Sequence, residues 1–134
     1  MLLENLIVQS KTVDAEFPGT EGFVVTLAYL TREELVKLRK KATTTKINRR
    51  TRQPEEEIDS DLFQEVYISA VVKGWKGLKY RFLPKFLPVD LSTIVDKETE
   101  LEFSKENAVA LMKNSPEFDT WVTSMLDDLE NFTA

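Results

Sequence analysis

Apolar residues recur at three- and four-residue steps through Phe118, Trp121, Val122, Met125, Leu126, Leu129 and Phe132. That single stripe predicts an amphipathic helix. Ser115 as N-cap and Pro116 at the first helical position give it a strong start signal. A second pattern runs from Asp59 to Gly77. Phe63, Val66, Tyr67, Ala70 and Val71 form one helical stripe, and Ile68, Val72 and Trp75 form another. A helix apolar over most of its circumference is a buried one. The stretch therefore reads as a central helix, capped by Asp59 or Ser60 and ended by Gly74 and Gly77.

The N-terminal part has a different period. Leu6-Ile7-Val8 is a short apolar run that fits an edge strand. Thr12 to Phe17 alternates weakly, and Phe23 to Leu30 is rich in β-branched and aromatic residues. Pro18-Gly19-Thr20-Glu21-Gly22 lies between them with turn chemistry. A β-hairpin within residues 6–30 follows. Thr31-Arg32-Glu33-Glu34 matches a capping box and opens a helix through Leu35, Val36 and Leu38. The β-branched run Thr43-Thr44-Thr45 ends that helix near Ala42. Residues 43–58 hold basic and then acidic charge with few apolar side chains, which predicts a mobile charged loop. Pro84 restricts residues 79–87 to short turns. Ser104 caps one more helix, carrying Ala108, Val109, Leu111 and Met112. The expected fold is α+β and mainly α-helical. An N-terminal β-hairpin is followed by about four to five helices around the central buried helix. All of this fits a single domain over 1–134, with the helical remainder at 59–132.

Composition narrows the chemistry. The 134 residues include no cysteine and no histidine, which removes thiolate chemistry, the usual general base and the commonest metal ligands. The first residues carry no basic and apolar leader pattern, and no apolar run approaches the roughly 20 residues of a membrane span. A chain acting in a bacterial cytoplasm, without membrane contact, is expected. The net charge of −5 conceals two opposed blocks. From Arg32 to Gln53, nine Lys or Arg face Glu33 and Glu34, a balance of +7; from Glu98 to Ala134, nine acids face Lys105 and Lys113, a balance of −7. Such blocks suit head-to-tail contacts between copies, or contact with another protein.

No catalytic constellation emerges, and a non-enzymatic protein without cofactor or metal is expected. Asp127-Asp128 and Glu55-Glu56-Glu57 fall on an exposed face and a loop, where paired carboxylates are ordinary solvated surface. Asp96, Glu98 and Glu100 alternate but lack the glycine turn of a cation loop. Lys46 to Arg52 has the bases for phosphate contact but no interleaved aromatics to stack on bases. Acids follow at once, so nucleic acid is not the expected partner. Asp127, Asp128 and Glu130 crowd the C-terminal end of the last helix, where the helix dipole disfavours anions. A basic partner surface would account for them.

The run AVVKGWKGL followed by a Leu/Phe-rich segment and PVDLS, together with EFSKENAVALMKNSPEFDTWV and EFPGTEGFVVTLAYLTREELVKLRKKATT, resembles the tail assembly chaperones of long-tailed bacteriophages and prophages. The resemblance covers nearly the whole chain. It implies a chaperone that binds the tape measure protein, keeps it soluble, and helps recruit tail tube subunits. It also implies a protein absent from the mature virion and, in many members, a longer form made by translational frameshift. The other readings are a structural tail protein and a nucleic-acid-binding regulator. A chaperone of this kind needs an apolar groove with a charged rim. The candidate groove residues are Tyr80, Phe82, Phe86, Trp121 and Met125. The candidate charged contacts are Arg49, Arg50, Arg52, Asp127 and Asp128.

Overall fold

Val25, Leu27 and Ala28 are buried on strand β2 (Val24–Tyr29), and the fold is organised around that strand. The computed structural model describes residues 2–3 and 11–133. β1 (Lys11–Glu16) pairs antiparallel with β2, with Glu16 opposite Val24 and Lys11 opposite Tyr29. The Pro18–Gly22 turn closes this hairpin. The Thr20 hydroxyl donates to the Phe17 carbonyl at 2.9 Å, and the Gly22 N–H donates to Glu16 Oε1 at 3.0 Å. The edge strand expected at Leu6-Ile7-Val8 lies outside the described residues.

Helix α1 (Arg32–Lys41) begins at Thr31, whose Oγ1 accepts the Glu34 N–H at 3.2 Å. The chain then departs from expectation. Residues 43–58 are an antiparallel hairpin of β3 (Thr43–Ile47) and β4 (Pro54–Ile58), not an unstructured loop. Three consecutive threonines disfavour helix and favour strand for the same steric reason. At the far end, Asn48 Oδ1 accepts the Arg50 N–H at 2.8 Å and so folds the turn. At the root, the Asp59 N–H donates to the Ala42 carbonyl at 2.8 Å, and Ala42 is fully buried.

Helix α2 (Ser60–Val71) starts on Asp59, whose Oδ1 accepts the Leu62 N–H at 3.2 Å. It ends at Val71, before the Gly74 and Gly77 expected to end it. Val72–Lys76 is instead strand β5, paired antiparallel with β2 through Val25–Trp75 and Leu27–Val72. The order of this sheet is β1-β2-β5. β2 gains a ladder of hydrogen bonds on its second side, and Val71-Val72 tolerate the switch because β-branched residues fit a pleated surface. α2 also is not buried all round: only Ile68 and Val71 are fully enclosed. A 3₁₀ helix (Tyr80–Lys85), α3 (Lys105–Asn114) and α4 (Pro116–Thr133) complete the chain. Ser104 and Ser115 cap the last two, accepting from Asn107 N–H at 3.0 Å and Phe118 N–H at 3.2 Å.

Helix forms 44% of the structure and strand 24%. The fold is therefore mixed α+β with two small antiparallel sheets, and the expectation of a mainly helical protein around a central helix is corrected. The core joins β2, β5 and α2 to the 3₁₀ helix, α3 and α4. Its densest part is aromatic. Phe118 is fully buried, with ring centroids 5.9 Å from Phe86, 6.3 Å from Phe23 and 6.3 Å from Phe17.

Candidate partner-binding surfaces

A groove of about 510 Å³ opens where the end of β2 meets three helices. Tyr29 and Leu30 follow from β2, Leu35 comes from α1, Tyr67 and Val71 from α2, and Leu126 from α4. Arg32 and Asp127 add opposite charges to its lining. α2 and α4 are brought here by their apolar stripes, which supply the buried Val71, Val122 and Leu126, whereas α1 has no buried residue. Burial pushes the Tyr67 phenol above its ordinary pKa, and the nearby carboxylates of Asp119 and Asp127 push it further in the same direction. The groove therefore combines apolar walls with the opposite charges of Arg32 and Asp127.

A second, more open groove of about 510 Å³ lies along α4 at Phe17, Pro18, Pro116, Thr120 and Trp121. The Trp121 ring packs edge-on against Phe17 at 5.0 Å, so the indole is half-buried and fixed.

The third surface is the β3–β4 arm. Every residue of β4 is exposed, and Ile47 at 72% and Ile58 at 51% are uncovered despite their apolar side chains. Arg49, Arg50 and Arg52 sit exposed at its tip. Arg52 holds a left-handed backbone conformation at φ 57°, which costs a non-glycine residue about 1 kcal/mol.

The candidate residues are thus dispersed. Phe82 and Phe86 are core residues, 4% and 6% exposed, and their side chains face inward rather than toward a groove. Tyr80 and Met125 are half-buried against the core. Trp121 lines the open groove, Asp127 lines the three-helix groove, and Asp128 is exposed on α4. Tyr29, Leu30, Leu35 and Tyr67 were absent from the sequence-based groove. Their grouping depends on how α1 and α2 cross the end of β2, and only the capping signal at Thr31 hinted at where α1 begins.

The remaining perturbed carboxylates belong to the long connection after the 3₁₀ helix. A hydrogen bond from Lys79 Nζ at 3.0 Å leads in holding Glu98 below the usual carboxylate range, with Arg81 adding to it at 2.8 Å. Asp90 is lowered by the Ser92 backbone N–H at 2.9 Å. Trp75 Nε1 donates to the Leu101 carbonyl at 3.0 Å and ties this connection to β5. Among the described residues, no acidic group of three or more is placed to hold a metal ion, and no helix is long and apolar enough to cross a membrane.

Compared with known families, residues 31–134 match the model described as YdaY prophage protein. The match takes in everything from the cap of α1 to the C-terminus and omits the first hairpin. No curated protein and no solved structure matches the chain.

Proposed function

The chain belongs to the YdaY prophage protein family, and from that premise we propose that it is a non-enzymatic tail assembly chaperone. In this reading it binds the tape measure protein in the host cytoplasm, keeps it soluble, assists recruitment of tail tube subunits, and leaves before the virion is complete. The observation that carries the reading is the three-helix groove. Leu30, Leu35, Val71 and Leu126 offer apolar walls, while Arg32 and Asp127 lie at the same site with opposite charge. That combination suits one face of an amphipathic helix, whose anchors recur every three to four residues. A tape measure protein presents such faces before its tube encloses them. The sequence resemblance to tail assembly chaperones supports the same role.

The test is co-expression with a phage tape measure protein, followed by affinity purification. Recovery of soluble partner carrying several copies of this chain supports the proposal. Insoluble partner, with this chain eluting alone, refutes it.

The five strands favour a second reading, a structural subunit of the tail. It would appear in purified particles by mass spectrometry, whereas the chaperone would not.

A further inference from the structure

The β3–β4 arm is exposed apart from the half-buried Thr43 and Asn48. A two-stranded hairpin is marginal in water unless a further surface supports it. Among the described residues, β3 and β4 pair only with each other, which leaves each with one unpaired edge there. The exposed Ile47 and Ile58 add uncovered apolar area. Within the arm, Lys46 pairs with Glu57 at 3.1 Å, and Asn48 Nδ2 donates to Glu55 Oε1 at 2.6 Å. The three arginines of the tip take part in no ion pair among the described residues. The tip therefore carries three positive charges on a defined turn, with Glu55, Glu56 and Glu57 behind it on β4.

The complementary surface is on the same chain. Pro116–Thr133 contains no lysine or arginine. Glu117, Asp119, Asp127 and Asp128 are exposed along it, and none is in an ion pair among the described residues. Elsewhere Glu65 is met by Lys113, and Glu98 by Lys79 and Arg81. Burial raises the Tyr67 pKa first, and Asp119 and Asp127 of α4 raise it further. Dimensions agree as well. Asp119 and Asp127 are separated by eight positions, about 12 Å along a helix axis. Arg49 to Arg52 span at most about 10 Å.

The geometry points to a docking contact between copies: the arginine tip of the β3–β4 arm seats on the acidic face of α4 of a second copy of this chain. The contact joins two different surfaces. It therefore propagates head to tail, closing into a ring or extending as a filament. This inference does not rest on the chaperone reading and would hold equally for a structural tail subunit.

The experiment uses the full chain and light scattering after size exclusion. Salt is varied from about 0.01 M to about 1 M, which shortens the Debye length from about 30 Å to about 3 Å. The wild type is expected to form concentration-dependent oligomers at low salt that dissociate at high salt. Two variants follow. One carries Arg49→Glu, Arg50→Glu and Arg52→Glu; the other carries Glu117→Lys, Asp119→Lys, Asp127→Lys and Asp128→Lys. Each change lies on an exposed position, and circular dichroism checks that both variants fold. Each variant alone then has like charges on tip and helix, and its association at low salt falls at least about tenfold, the scale of three exposed ion pairs. Mixing the two variants restores opposite charges and restores association. A wild type that stays monomeric at low salt overturns the inference, as does a mixture that stays monomeric. Retention of a monomeric wild type on single- or double-stranded DNA also overturns it, and assigns the tip to phosphates instead.

Discussion

Gly77 provides the sharpest test of the corrected fold. It lies just after β5 with φ 78°, and a Cβ placed on it would collide with the carbonyl oxygen of Gly22 in the first hairpin turn. Two costs follow for Gly77→Ala. The left-handed backbone disfavours any side chain by about 1–2 kcal/mol. The collision is with main chain, which cannot rotate aside, so β5 and the β1–β2 turn must separate. Overpacking of that kind costs about 1–3 kcal/mol. Together the expected loss is about 2–5 kcal/mol, a large share of the roughly 5–15 kcal/mol of a typical domain. Gly74, three residues earlier, is the control. It has open space around its Cβ position and no positive φ. Gly74→Ala is expected to be neutral, or to stabilise by about 0.4–1 kcal/mol through reduced freedom of the unfolded chain. Urea unfolding followed by the fluorescence of Trp75 and Trp121 measures both. If the two variants differ by less than about 0.5 kcal/mol, within the range of ordinary surface substitutions, the close approach of β5 to the first turn is refuted.

Other outcomes can be stated from the same structure. Phe118→Ala empties the centre of the aromatic cluster and should cost about 3–5 kcal/mol in the same urea experiment; a loss near that of a surface mutation would contradict its full burial. Tyr67 should ionise above the usual value of about 10, and Asp127→Asn should bring its midpoint down in an ultraviolet titration. Because the folded pKa is raised, the stability linked to Tyr67 is complete below the unfolded pKa and is lost as pH rises through the folded one. Glu98 has the opposite sign. Its contribution is present above the ordinary carboxylate range and fades as pH falls through the lowered folded value, so Glu98→Gln should flatten the acid side of a stability profile. On the chaperone proposal, Leu35→Lys places a charge in the three-helix groove and should reduce capture of a tape measure protein at least about tenfold, about 1.4 kcal/mol, with unchanged circular dichroism; undiminished capture would remove the groove as the proposed site.

Signals that act within a few residues were legible in the sequence. The turn at Pro18–Gly22, the capping box at Thr31, and the caps at Ser104 and Ser115 all depend on local backbone geometry. The long stripe on α4 was legible for the same reason, since a helix satisfies its own hydrogen bonds. The misread segments are strands whose bonds are made to distant residues. Pro54-Glu55-Glu56-Glu57-Ile58 has little strand preference of its own, and it is held by Thr43-Thr44-Thr45-Lys46-Ile47 opposite. Val72–Lys76 continues the apolar spacing of a helix, and only the empty side of β2 makes it a strand. The candidate site suffered from the same blind spot. Phe82 and Phe86 showed apolar character, but nothing local distinguished a core aromatic from a groove aromatic.

The direct passage from α2 into β5 has a mechanical consequence. The arm is rooted at Asp59, which also caps α2, and α2 runs into the core strand without an intervening linker. A displacement at the root of the arm would therefore reach β5 through α2 with no linker between them. Trp75 lies on that strand and donates to the Leu101 carbonyl, which puts an indole at the inner end of this path.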